Sequence, residues 1–323
     1  MSDIETIAKQ MVEKPRGILA MDESTGTAGK RLESVGKENT EENRRAYREM
    51  LVTTENLGEF VSGAIMFEET LFQETKEGKP FVDCLKERNI IPGIKIDQGL
   101  EGDGEKVTKG LDGLPERLQK YYAQGARFTK WRAVIMISDE YPSDANIAES
   151  AKRLAQMAKD SQDAGMVPIV EPEVLMDGNH SLERCKEVTL KTQEATFAAL
   201  KELGVNLKGM VLKPNMIVPG KEAEKASPED VAAATVEVLK AHVPADVPGI
   251  AFLSGGIGDE DVTLYLNAMN KLEAPWNLTF SFGRGLQRPA LAAFAEGDVA
   301  KGQAALLERS KASSQATTGS YAQ

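Results

Sequence analysis

The chain has 323 residues, 41% of them hydrophobic, and a net charge of −11, which leaves room for one large domain or two ordinary ones with a substantial core. The acidic balance argues against nucleic-acid binding, which normally leaves a basic footprint, and no apolar run approaches the roughly 20 residues needed to cross a bilayer. Two cysteines, Cys84 and Cys185, and two histidines, His180 and His242, are too few for a disulfide scaffold or a three-histidine zinc site, which leaves carboxylates or cysteines to complete any other metal set, and a reducing, cytoplasmic setting is expected. The start, MSDIETIAKQMVEKPRG, has neither signal nor transit character, so no membrane partner is expected.

Short apolar runs recur roughly every 30 to 45 residues, about the length of a strand, a loop and a crossover helix. The first, GILAM (17–21), leads into Asp-Glu-Ser. A helix is expected from Thr40, with Glu41 and Glu42 in its first turn and Arg44, Arg45 and Arg48 following, an order that suits the helix dipole. FVSGAIM (60–66), IIPGIKI (90–96), RFTKWRAVI (127–135), VPIV (167–170) and GMVL (209–212) come next. A further helix announces its start: Ser227 can cap, Pro228 suits the first helical position, and Asp230 sits where a capping-box acid reaches back. Val231, Ala234 and Val238 mark its buried face. GIAFL (249–253) and NLTFSF (277–282) complete the series, and the small, polar stretch 308–323 is expected to pack loosely or to be mobile.

Eight buried strands alternating with helices fit an α/β fold, the closed (β/α)8 TIM barrel, usually about 250 residues with room for insertions. The competing open doubly wound sheet lacks its signature, since no G-x-G-x-x-G follows the first strand and no P-loop is present. No low-complexity linker divides the chain, so 1–323 is expected to be one domain.

Chemistry in such barrels gathers at the carboxyl ends of the strands. Those ends carry Asp22, Glu68, Lys95 with Asp97, Lys130 with Arg132, Glu171 with Glu173, Lys213, Ser254 with two glycines, and Arg284. Within KID, KWR and EPE the i and i+2 side chains share one face of a strand, so three neighbouring positions deliver paired charges. Lys130 and Lys213 each end an apolar run; a lysine there either snorkels out to water or sits buried, and a buried amine that sheds its proton is a nucleophile able to form a Schiff base. The turns FLSGG (252–256) and SFGRG (281–285) follow the last two strands, where backbone N–H groups commonly hold a phosphate. Arg284 adds a bidentate donor suited to that dianion.

These blocks together resemble the class I fructose-1,6-bisphosphate aldolases. GILAMDESTGTAGKRLESVGKENTEENRRAYREML (17–51) is similar to the family's N-terminal signature, and GIKID, KWR, VPIVEPE, VLKPN, FLSGG and FGR follow in the family's order, across about residues 5 to 321. The resemblance implies a metal-free Schiff-base barrel enzyme, commonly a tetramer, that cleaves fructose 1,6-bisphosphate to dihydroxyacetone phosphate and glyceraldehyde 3-phosphate. It implies Lys213 as the imine-forming nucleophile, Glu171 as acid and base for carbinolamine dehydration, Glu173 and Lys130 as supporting groups, and Asp22 as acceptor of the C4 hydroxyl proton. One phosphate is implied at Ser254, Gly255, Gly283 and Arg284, the other towards Ser24, Thr27, Arg31, Lys95 and Arg132.

The departures from the family pattern are Met21 and Gly285 where alanine is usual, Thr27 for serine and Gln98 for lysine. Tyr321 matches a tyrosine upstream of the longer tail that carries a terminal catalytic tyrosine in many relatives, so it is not assigned that role. Two rival readings are another Schiff-base sugar-phosphate enzyme, a transaldolase type or single-phosphate aldolase, and a non-catalytic interaction scaffold on the same fold. The second cationic group, Arg31 with Lys95 and Arg132, favours a doubly phosphorylated substrate over the first. Intact Asp22, Lys130, Glu171 and Lys213 speak against the second.

Overall fold

A computed structural model describes residues 3–322; residues 1, 2 and 323 lie outside the described residues. Eight strands form a closed, all-parallel barrel in sequential order: β1 (Gly17–Met21), β2 (Val61–Met66), β3 (Ile91–Lys95), β4 (Phe128–Ile135), β5 (Val167–Val174), β6 (Val211–Leu212), β7 (Gly249–Phe252) and β8 (Asn277–Phe282). Closure comes from β1, which pairs with β2 on one side and β8 on the other, Ile18 lying opposite Ser281. Each apolar run read from the sequence is one of these strands, and helices fill the crossovers.

The alternation of side chains along a strand sorts the residues into two cores. Ile18, Ala20, Ile65, Phe128, Val167, Ile169, Val211 and Ala251 fill the barrel interior, where the helix Asp3–Met11 adds Ala8 and Met11. Leu19, Met21, Trp131, Val170, Leu212, Ile250 and Phe252 point outward under the helices. The Phe128 ring explains a glycine in β3, because a Cβ on Gly93 would stand 2.1 Å from it. Since Phe128, Ile169 and Val211 face inward, Lys130 and Arg132, Glu171 and Glu173, and Lys213 share that orientation nearer the carboxyl ends.

Two strands differ in length from their apolar runs. β5 extends to Val174 and is buried throughout, because Glu171 and Glu173 meet cations inside the barrel instead of water. β6 stops at Leu212, before Lys213 and Pro214, whose ring nitrogen has no hydrogen to donate. The ladder still fixes the lysine, since the Lys213 amide donates to the Val170 carbonyl at 2.8 Å.

Both helix starts are as expected: Thr40 Oγ1 accepts from the Asn43 amide at 3.1 Å, and Ser227 Oγ from the Asp230 amide at 3.1 Å. The Asp230 carboxylate receives the Ser227 hydroxyl instead of reaching a backbone N–H. Arg44 and Arg48 do more than complement a dipole. Arg44 forks onto Glu69 at 2.8 and 2.6 Å, and the buried Arg48 donates to Glu23 at 2.9 Å.

The stretch expected to pack loosely is, through Ala316, part of the helix Val299–Ala316, with Ser310, Ser313, Ser314 and Thr317 buried. Its small residues permit close approach: a Cβ on Gly302 would fall 2.4 Å from the Met50 sulfur. Ser310 satisfies its hydroxyl on the Leu306 carbonyl of the same helix at 2.8 Å. Tyr321 is tied down by its amide, which donates to Asn267 Oδ1 at 3.0 Å.

Candidate active site

The carboxyl ends of the strands surround a cavity of about 590 Å³. It is lined by Asp22, Lys95, Lys130, Arg132, Glu171, Glu173 and Lys213 from the strand ends, by Ser24, Thr27 and Arg31 after β1, and by Ser254, Gly255, Gly283 and Arg284 after β7 and β8. All the site residues implied by the resemblance thus reach one space. Glu68 does not. β2 ends at Met66 and the chain turns at once into a short helix, where a half-exposed Glu68 pairs with Lys120 at 3.5 Å. Gln98, where a relative commonly has lysine, is exposed and lies outside the lining.

At the centre charges alternate: Asp22 Oδ2 lies 2.9 Å from Lys130 Nζ, Lys130 Nζ 3.0 Å from Glu171 Oε2, and Glu171 Oε1 3.1 Å from Lys213 Nζ. All four side chains are almost wholly removed from water. Burial would strip the proton from Lys130, but the carboxylates of Asp22, Glu171 and Asp97 outweigh it and raise its proton affinity above the ordinary lysine value. Burial likewise works against the charge on Asp22, yet Lys130, Lys213 and Lys95 hold its carboxyl below the usual carboxylate range. Glu171 is also depressed, because Lys130, Lys213 and Arg132 outweigh its burial. Lys130 is therefore an ammonium and its two neighbours are carboxylates.

The two lysines differ in their surroundings. Lys130 touches two carboxylates and Lys213 only one. A substrate carbonyl entering beside Lys213 meets an amine with a single proton acceptor in contact.

Around this chain Arg132 pairs with Glu173, and Lys95 with Asp97 at 2.8 Å. Two helix starts also line the cavity without a side-chain cap: Thr25–Glu33, preceded by Ser24, and Arg284–Ala295, preceded by Gly283. Uncapped N–H groups at a helix start favour an anion. Arg284 forms no ion pair among the described residues. Partial burial and the cations Arg31, Arg288 and Arg132 lower its proton affinity, against Glu173; an arginine stays charged regardless, so a dianion beside it relieves that repulsion. Among the described residues no group of three or more His, Cys, Asp and Glu side chains is arranged to hold a metal ion, and no helix is long and apolar enough to cross a membrane.

Sequence reasoning passed over Glu23. On a continued strand its side chain would point away from that of Asp22, but the chain leaves β1 at Met21 and Glu23 turns into the cavity wall. There it accepts from Arg31, from Arg48 at 2.9 Å and from Gln287 at 3.1 Å. The one available signal was its place inside the Asp-Glu-Ser block.

A closed (β/α)8 barrel with a lysine–carboxylate cluster at the carboxyl ends of its strands is the layout of a barrel enzyme. Residues 3–323 match the family model for glycolytic class I fructose-bisphosphate aldolase. The chain is 52% identical over 322 residues to the cytosolic fructose-bisphosphate aldolase 5 of Arabidopsis thaliana, covering 97% of this chain and 90% of that one. It is 50% identical to the chloroplastic fructose-bisphosphate aldolase 3 of the same plant, covering 97% and 82%. Its structure superposes on fructose-bisphosphate aldolase from Plasmodium falciparum, solved with TRAP and a small-molecule inhibitor, with a TM-score of 0.97 at 48% identity, covering 99% and 95%. The chain belongs to the class I fructose-bisphosphate aldolase family, and it is a carbon–carbon lyase.

Proposed function

We propose that this enzyme cleaves fructose 1,6-bisphosphate reversibly to dihydroxyacetone phosphate and glyceraldehyde 3-phosphate, through an imine on Lys213. The observation that carries the reading is the 3.1 Å contact between Lys213 Nζ and an ionised Glu171 inside a cavity with cationic walls. Glu171 takes a proton from Lys213, the freed amine adds to C2 of the sugar, and Glu171 returns the proton to the C2 hydroxyl as it leaves as water. The protonated imine draws electrons from C3. Asp22, held ionised by Lys130, removes the C4 hydroxyl proton, C3–C4 breaks, and the electron pair is left as an enamine. Lys130 and the Arg132–Glu173 pair keep the charges around Glu171 balanced through the proton transfers.

In this reading the phosphate beside the imine sits on Ser254, Gly255, Gly283 and Arg284, and the distal one towards Ser24, Thr27, Arg31, Lys95 and Arg132. The test is differential. Arg31→Ala is expected to impair fructose 1,6-bisphosphate cleavage far more than fructose 1-phosphate cleavage, whereas Arg284→Ala impairs both. A lost charge-assisted contact is worth roughly 1.5–3 kcal/mol, or about ten- to two-hundred-fold in kcat/KM. Equal losses on the two sugars for Arg31→Ala would remove that arginine from the distal site.

The imine serves as the electron sink, so no metal is required. Activity is expected to survive prolonged dialysis against EDTA; a loss restored by zinc or another divalent ion would contradict the mechanism. A cytoplasmic location and a homo-oligomer, as a tetramer, belong to the same reading. The resemblance to the family supports both, and the cytosolic relative supports the first.

A further inference from the structure

We infer that Gln287, braced by Tyr47, is a positioning residue that aims Asp22 at the substrate. The inference rests on the reading of Asp22 as acceptor of the C4 hydroxyl proton. Gln287 is 3% exposed and lies one turn into the Arg284–Ala295 helix, so its amide is oriented by the same helix that begins at the phosphate-binding turn. Its Nε2 donates to the Ala20 carbonyl at 2.6 Å and to Glu23 Oε1 at 3.1 Å. Those two contacts fall on either side of Asp22, which sits just beyond the last residue of β1, where the ladder no longer holds the backbone. The Gln287 carbonyl oxygen accepts from the Tyr47 hydroxyl at 3.0 Å, which fixes the amide's orientation, and Tyr47 is itself buried. Glu23 is anchored independently by Arg48. The segment carrying the base is thus clamped by Gln287, Tyr47 and Arg48, side chains that touch neither Lys213 nor Glu171.

A clamp on Asp22 matters only to the step Asp22 performs. Gln287→Leu is expected to slow fructose 1,6-bisphosphate cleavage about ten- to a hundred-fold in kcat, as a misplacement on the order of 1 Å does. KM and borohydride trapping of dihydroxyacetone phosphate on the enzyme should stay within about two-fold, because Lys213, Glu171 and the Arg284 turn are untouched. In a double-mutant cycle Asp22→Asn/Gln287→Leu should cleave no more slowly than Asp22→Asn, since there is no base left to aim. Multiplicative losses in the double variant, or trapping that falls in parallel with cleavage in Gln287→Leu, would overturn the inference in favour of a purely structural glutamine. Should Gln287→Leu fail to fold, Tyr47→Phe removes only the bracing hydroxyl and is read by the same cycle. Full cleavage by Asp22→Asn would instead overturn the role of Asp22, and the inference with it.

Discussion

Replacing Lys213 with methionine is expected to lower fructose 1,6-bisphosphate cleavage by about 10⁴-fold or more, which is roughly 5 kcal/mol in the barrier. Methionine preserves most of the buried volume but offers no amine, so the C2 carbonyl stays a poor electron sink. Stability should change little, because Glu171 keeps its 3.0 Å contact with Lys130. The variant should still retain substrate on its cationic walls, and a steady-state assay beside a fluorescence titration with the bisphosphate separates the two effects. Activity within tenfold of the parent would mean that the nucleophile is elsewhere.

Lys130→Met is expected to do the opposite to stability. It removes the one ammonium that touches both Asp22 and Glu171 and leaves two carboxylates in a buried site. Breaking such a cluster costs about 3–5 kcal/mol, and cleavage should fall as well, since both carboxylates lose the charge that keeps them ionised. The cost should depend on pH. In the parent the proton affinities of Asp22 and Glu171 are depressed, so their contribution is complete above the unfolded values, near pH 3.9 and 4.3, and is lost as pH falls below them. In the variant burial is no longer offset by Lys130, both carboxyls bind protons more readily, and protonation relieves the strain. Denaturant unfolding should therefore show a gap that is widest near pH 7 and narrows towards pH 4. A gap constant over that range would show that the loss is one of packing.

The barrel was readable because buried parallel strands are apolar on both faces and stand out from the amphipathic helices between them. The ends of runs were less so. Glu171 and Glu173 lie past the apolar run VPIV, yet they extend β5 to Val174, because partners from β4 and from just beyond β6 make their burial tolerable. The serines of the last helix look like a mobile tail, yet Ser310, Ser313 and Ser314 are buried, and the Ser310 hydroxyl turns back onto the helix. At the site, the paired charges that alternation puts on one face within KID, KWR and EPE all line the cavity, whereas Glu68 does not, because its strand ends two residues earlier.

The choice of Lys213 over Lys130 as nucleophile came from the family resemblance, since the strand pattern alone places both lysines alike. What the pattern could not supply is how many carboxylates lie within about 3 Å of each amine, a quantity decided by strands distant in sequence. Arg48 and Gln287 escaped for a similar reason, since a polar residue within a helix reads as a solvated face until the partner that buries it is known.

The most direct measurement is chemical. Borohydride added to the enzyme with dihydroxyacetone phosphate should reduce the imine to a stable secondary amine, inactivate the protein with one substrate per chain, and place the added mass on the peptide that contains Lys213. Label on the peptide containing Lys130, or inactivation without label, would contradict the account.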